Sequence, residues 1–381
     1  MMSYPYICSC LSASCVGALG TPGEGSLPAV VEEEGLIKTR LLPPGPGNPR
    51  NSEGAFGQLK DGRVLFVYTH FTGGGGDNAT AHLAGRISSD GGRTWSHDDV
   101  VILANEGEMN VMSVSLLRLH SGAIALFYLR KNSEHDCHLY MRLSTDEACS
   151  WGEPVLCTPG PGYYVVNNDR VIQLQSGRLV VPASLHTREG VSGFAPGVAM
   201  CYLSDDGGKT WRRSETLLPA PEGSRSGLQE PGIVELRDGR VMMLCRTDQG
   251  CQMRSWSSDG GETWTAPERT ELLSPVSPAT VKRIPKTGDL LLVWNDHRDI
   301  DPALQGKRTP LRAALSRDEG VSWENTKSIE EDPEGWFCYT AMEFVGDQVL
   351  LAYCATTTGL PHLSRTQITR FPVEWLYIPR P

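Results

Sequence analysis

Six times along the chain a run of apolar residues is broken by a short polar turn and then resumes. The runs are QLKDGRVLFVY, RLHSGAIALFY, QLQSGRLVVPA, ELRDGRVMMLC, RIPKTGDLLLVW and EFVGDQVLLAY, with turn glycines Gly62, Gly122, Gly177, Gly239, Gly288 and Gly346. Arms rich in Val, Ile, Leu, Phe and Tyr on either side of so short a turn predict six β-hairpins. A second pattern, Ser-x-Asp-x-Gly-x-Thr/Ser-Trp, follows each of the first five, beginning at Ser88, Ser144, Ser204, Ser257 and Ser316. Successive starts are 56, 60, 53 and 59 residues apart, a period that marks a repeat architecture. The residues of this box are those of a tight turn: Asp accepts from nearby backbone N–H groups, Gly permits φ > 0, and Trp anchors by packing. One copy departs, with Ala148 in the glycine position. The boxes are therefore read as turn-and-anchor devices rather than as catalytic groups. No segment sustains a 3.6-residue apolar period, which predicts little helix.

A hairpin plus a box-joined strand pair gives four strands per unit, and six units account for the chain from about Leu36. The fold expected is all-β, a six-bladed β-propeller with four-stranded antiparallel blades, because radial closure leaves only short sheet edges. It occupies residues 36–381, and residues 1–35 read as a leader or disordered N-terminal segment. The stretch up to Gly47 reads as a lead-in loop, and the C-terminal ITRFPVEWLYI as a strand that closes the ring. Length alone, 381 residues, would suggest two or three domains, but a propeller of this size folds as one.

Composition narrows the function. A formal charge of −10 argues against nucleic acid or an anionic membrane surface as partner, and it makes any cluster of arginines more telling. The 11 cysteines are odd in number and show no zinc spacing, so they read as free core thiols, with no metal or cofactor implied. The first thirty residues have no Lys or Arg ahead of a mildly apolar stretch and make no convincing signal peptide. Nothing is long enough to span a bilayer, so a soluble chain without integral membrane association is expected, its compartment and oligomeric state left open.

In a propeller the inner strands surround the axis, and the loops at one end form a common funnel. The residues that precede and follow each hairpin point to that end. Arg50 and Glu53, Asn110, Asp169, Glu230 and Tyr339 precede; His70, Arg130, His186 and Arg246 follow. Arginines, carboxylates and a tyrosine gathered on separate blades suggest a site, although solvated loop charges would look similar.

At this point the residues resemble those of the sialidase (neuraminidase) family, whose six-bladed propellers carry the same boxes. Glu230-Pro231-Gly232-Ile233-Val234-Glu235-Leu236, with Cys245-Arg246 sixteen residues after the glutamate, is similar to the family's stretch containing a buried glutamate and a carboxylate-binding arginine. Arg308, eight residues before Ser316, and Arg50, ahead of the first inner strand, stand where the resemblance would complete an arginine triad. Tyr339 lies where the family has its nucleophile, and Asp77, after Gly73-Gly74-Gly75-Gly76, where it has its acid/base. The resemblance covers roughly residues 40–380. It implies a metal-free, retaining exo-α-sialidase in which catalytic Asp77, Glu230 and Tyr339 act on a terminal sialic acid. Arg50, Arg246 and Arg308 would hold the sugar's carboxylate, with Glu53, His70, Asn110 and Asp169 as further substrate contacts. A neutral tyrosine, deprotonated by the glutamate, avoids the repulsion between that carboxylate and an anionic nucleophile. Two departures bear on specificity. Arg50-Asn51-Ser52-Glu53-Gly54 replaces the family's Arg-Ile-Pro, and His70 stands where many relatives have arginine. Each residue also has a plain structural alternative: Glu230 as a loop cap, Arg308 as a surface charge, Tyr339 as a core tyrosine. The readings that stay open are a glycosidase or transferase for a related acidic nonulosonic sugar, and a catalytically silent propeller that binds glycans or proteins.

Overall fold

The computed structural model describes residues 30–187 and 194–379. Most of the segment read as a leader, residues 1–29, lies outside them. The strands form six antiparallel sheets arranged as six blades. Blade 1 runs from its inner strand outward as Arg50–Gln58, Val64–Phe71, Ala81–Ser88 and Val100–Leu103. Blade 2 follows as Asn110–Arg118, Ile124–Lys131, Cys137–Ser144 and Val155–Leu156. In blade 3 the inner strand is split into Tyr164–Val165 and Ile172–Gln173, both paired with Leu179–Leu185, beyond which lie Val198–Ser204 and Arg212–Arg213. Blade 4 comprises Gln229–Glu235, Val241–Arg246, Cys251–Ser257 and Glu268–Leu273. Blade 5 comprises Thr280–Arg283, Leu290–Asn295, Leu311–Ser316 and Glu324–Glu330.

Blade 6 closes the ring, and here the structure differs from the sequence reading. Trp336–Val345, Gln348–Thr356 and Thr366–Pro372 are followed outward by Leu36–Leu42 and Val30–Glu33, so the stretch expected as a lead-in loop and the last residues of the segment read as a leader supply outer strands. Ile37–Thr39 pairs with Ile368–Arg370, tying the N-terminal part of the propeller to its C-terminal strand. Leu36, Leu41 and Leu42 are buried by this docking, a long-range pairing that no local turn announces.

The boxes do the same work five times. Ser88 Oγ donates to Asp90 and accepts from Gly92 N at 2.8 Å, while Asp90 accepts from the backbone N and hydroxyl of Thr94 at 2.9 and 2.6 Å. The same four contacts recur around Asp146, Asp206, Asp259 and Asp318. Ala148 takes the glycine's left-handed conformation at φ 64°. Each box tryptophan packs in the seam between its own blade and the preceding one. Trp95 sits with Phe56 and Phe66 beside blade 6 residues, Trp151 between blades 1 and 2, Trp211 between 2 and 3, Trp264 between 3 and 4, and Trp323 between 4 and 5. Trp264 is the most enclosed of the five, 7% exposed, so Trp264→Ala is expected to cost about 3–5 kcal/mol. The check is a lower urea midpoint at unchanged slope; a midpoint equal to the wild type would show that the seam does not depend on this anchor.

Candidate active site

Local backbone geometry builds the site before any side chain does. At the start of four inner strands the pairing register slips by a bulge, between Ser52 and Ala55, Met112 and Ser115, Gln229 and Gly232, and Cys338 and Ala341. Each bulge holds a non-glycine residue at positive φ: Glu53 at 56°, Ser113 at 57°, Glu230 at 44° and Tyr339 at 59°. Asp169, between the two pieces of the split inner strand of blade 3, has φ 57°. A bulge re-aims a side chain, and left-handed non-glycine residues cost about 1–3 kcal/mol each, so the packing around them must impose them. Gly54 shows how tightly that packing fits, since a Cβ there would lie 2.4 Å from Phe66.

Four of these re-aimed residues, Glu53, Ser113, Glu230 and Tyr339, line one cavity of about 560 Å³ at the axis. Tyr339 Oη donates to Glu230 Oε1 at 3.2 Å, and Arg246 Nη1 donates to Glu230 Oε2 at 2.7 Å. The Arg308 guanidinium lies 5.1 Å from the centre of the Tyr339 ring. Burial and the neighbouring Glu230 charge push the Tyr339 phenol above its ordinary value, against the pull of Arg308 and Arg246. Burial also disfavours the Glu230 carboxylate, but Arg246 and Arg308 outweigh it and hold the group below the usual carboxylate range. The pair is thus a neutral phenol hydrogen-bonded to an ionised carboxylate. Arg246 Nε and Arg308 Nη1 are buried and have no hydrogen-bond partner. Unpaired buried donors are costly, and Arg246 lines the cavity, so its free Nε is suited to an anion there.

Arg50 stands on the other side of Glu53. Its Nη2 donates to Glu53 Oε1 at 2.7 Å and its Nη1 to Asp77 Oδ1 at 2.5 Å, while Ser113 Oγ donates to the second Glu53 oxygen. Of the three arginines only Arg246 lines the cavity: Arg50 has both its forks taken by the carboxylates of Glu53 and Asp77, and Arg308 lies against the rings of Trp336 and Tyr339. Glu53 is raised by burial despite Arg50, whereas Asp77, also penalised by burial, is brought below its usual range by Arg50 and Lys131. The Asp77 side chain is 63% exposed at the mouth of the cavity, on the loop after the four glycines.

Three residues expected to touch substrate are elsewhere. Asn110 is fully buried and its Nδ2 donates to the carbonyls of Asp77 and Ala79, both at 2.9 Å, so it holds the Asp77 loop from behind. Asp169 is committed to Lys282 Nζ at 2.7 Å and to the backbone N of Met342 at 2.8 Å, tying blade 3 to blades 5 and 6. His70 lies outside the cavity, stacked on His82 at 4.6 Å and 3.1 Å from Asp99, because strand alternation turns it away from the axis. Other lining groups were missed. Lys131, not its neighbour Arg130, faces the cavity, with Nζ on the Asp77 carbonyl at 3.2 Å and over the Tyr163 ring at 5.0 Å. Arg130 instead lies over the Tyr140 ring at 3.8 Å. Period-two alternation carried this information, but the register of the strand end did not follow from sequence. Met112 and Leu129 add an apolar wall, and Phe194, stacked on His186 at 4.1 Å, stands at the rim.

Comparison with known proteins places this geometry. The family described as BNR repeat-like domain matches residues 101–351. A sialidase of Vibrio cholerae is 26% identical over 272 residues, covering 63% of this chain and 34% of that protein. The chain thus spans about a third of the length of that relative. Among solved structures, a protein of unknown function from Dyadobacter fermentans superposes with TM-score 0.71 at 18% identity, over 89% of this chain and 99% of the other. The Hadza microbial sialidase Hz136 superposes with TM-score 0.69 at 17% identity, over 86% and 66%. At these identities the superpositions show a shared fold.

Proposed function

The chain belongs to the sialidase family of six-bladed, Asp-box propellers, and we propose that it is an exo-α-sialidase that releases terminal sialic acids from glycoconjugates with retention of configuration. The observation that carries the reading is Tyr339 on Glu230, beside two guanidinium groups that keep unpartnered N–H donors. Arg246 and Arg308 hold the sugar's carboxylate with those donors. Tyr339 Oη attacks the anomeric carbon as Glu230 Oε1 takes its proton, forming a tyrosyl–sugar bond while the glycosidic oxygen leaves. Asp77 supplies a proton to that oxygen, then removes one from the water that breaks the tyrosyl bond. In the unliganded site Asp77 is a carboxylate held by Arg50. An anionic sugar entering beside it raises its proton affinity, and its exposed loop lets it turn toward the leaving group.

The acid role has a direct test. Asp77→Ala is expected to lower kcat/KM on a natural sialoside by about 10²–10⁴-fold, the usual span for general acid catalysis. An aryl sialoside with a good leaving group needs little protonation and should lose far less. Equal losses on the two substrates would remove Asp77 from the role and turn attention to Glu53 and Glu134, the cavity carboxylates other than the assigned base Glu230.

One feature favours a second reading. Glu53 and Lys131 place a carboxylate and an ammonium group in the cavity wall, polar partners suited to hydroxyl substituents. They favour a glycosidase or transferase acting on a related acidic nonulosonic sugar. Fluorogenic sialoside and its deaminated nonulosonate analogue, assayed side by side, separate the readings by the ratio of their kcat/KM values. Turnover of neither substrate would leave the silent glycan-binding propeller.

A further inference from the structure

Cys338 and Cys354 are directly opposed on neighbouring strands of blade 6, each about 1% exposed, and both are free thiols. The two thiols interact with each other, and Cys338 lies within electrostatic reach of the Arg308 guanidinium. On the other side, Cys354 lies within electrostatic reach of Arg50 and Glu53. Directly opposed residues of an antiparallel pair have Cα atoms about 4.5–5.5 Å apart, inside the range a disulfide requires. The pair adjoins the reactive centre: Cys338 immediately precedes Tyr339 and opens the bulge that aims it. None of the steps assigned above uses either thiol.

We propose that Cys338 and Cys354 form an oxidisable dithiol site that closes to a disulfide with a two-electron oxidant and thereby disables the neighbouring Arg308–Tyr339 arrangement. An azo oxidant such as diamide takes the two electrons and two protons of the thiols. Two S–H bonds break, one S–S bond forms, and the azo compound leaves as the hydrazine. The attacking group is Cys338. Burial opposes its ionisation, but the neighbouring Cys354 and the Arg308 guanidinium outweigh burial and hold its thiol below the ordinary cysteine value, which favours the thiolate. Closure removes the ionisable sulfur beside Arg308 and binds the strand that carries Tyr339 to its neighbour at the bulge. The carboxylate-holding guanidinium and the nucleophile shift together. The kinetic consequence rests on the function proposed above; the disulfide itself does not.

The experiment treats the full chain with diamide, blocks remaining thiols, and maps cross-linked peptides by mass without reduction. In parallel it measures kcat/KM on a fluorogenic sialoside before treatment, after it, and after dithiothreitol. Expected are a Cys338–Cys354 cross-linked peptide, a loss of at least about tenfold in kcat/KM, and recovery on reduction. Cys354→Ser should keep its activity through diamide treatment, and Cys354→Ala serves in its place if the serine variant does not fold. Absence of the cross-linked peptide overturns the proposal. So does a cross-link that leaves turnover unchanged, or an equal diamide loss in the Cys354 variant, which would place the sensitive thiols elsewhere, as at neighbouring Cys201 and Cys245. If the reduced protein turns over no sialoside, the functional reading fails, and the peptide map still decides whether the dithiol closes.

Discussion

Tyr339→Phe is expected to lower kcat on a sialoside by about 10³-fold or more, equivalent to roughly 4 kcal/mol of barrier, with the affinity for a non-hydrolysable sialic acid analogue little changed. The substitution removes one oxygen. The ring that lies 5.1 Å from the Arg308 guanidinium stays, and Glu230 keeps its bond from Arg246 at 2.7 Å. Fold and carboxylate binding should therefore survive, while the covalent intermediate cannot form. The signature is a fall in kcat with dissociation constant and urea midpoint near wild type. A variant that retained a tenth or more of wild-type turnover would exclude Tyr339 as nucleophile, leaving a direct attack by water that the arrangement of Glu230 does not require.

The second large effect concerns Arg246, which serves two partners at once. Arg246→Lys keeps a positive charge near Glu230 but loses the planar fork, so a substrate carboxylate is met by one point charge instead of two parallel donors. A rise in KM of about 10²-fold, roughly 2.7 kcal/mol, is expected, with kcat less affected. Arg246→Ala goes further. Glu230, 8% exposed, loses its ion pair and keeps its burial penalty, so its proton affinity rises. A base must be ionised to act, so raising its pKa moves the acidic limb of the kcat profile to higher pH. The alanine variant should therefore lose kcat at neutral pH and regain part of it as pH increases. If the lysine variant matches the wild type in both parameters, or the alanine variant shows an unshifted limb, Arg246 is neither clamp nor partner of the base.

The residues of both predictions are legible in the sequence on the same grounds. Tyr339, Glu230 and Arg246 were picked out by their places relative to hairpins and boxes together with a family resemblance, and the structure brings them within hydrogen-bond reach. Arg50 was picked on the same grounds. It faces Glu53 and Asp77 instead, because the arrangement Arg50-Asn51-Ser52-Glu53 places a buried carboxylate three residues away on the same bulged strand. Asn110 and Asp169 were chemically well chosen as polar residues at the axis, but folding spends their groups on backbone and lysine partners. Nothing in a single sequence states which polar residue will be satisfied by the fold and which will be left for a ligand.

By itself the sequence determined the repeating parts of this protein: six hairpins, five box turns with their tryptophan anchors, and hence the blade count. These depend on contacts only a few residues apart, such as Asp90 capping Thr94, and local chemistry decides them wherever they occur. Only the tertiary structure decided how the ring closes and where the chemistry points. Leu36–Leu42 is a strand because Thr366–Pro372, over three hundred residues away, offers it an edge to pair with. Glu53, Ser113, Glu230 and Tyr339 sit at positive φ against their own preferences, held by the packing of neighbouring blades, and that shared backbone departure turns them into one cavity. Pairing and packing between distant segments supply the energy for those conformations, so they are fixed only once the ring has closed.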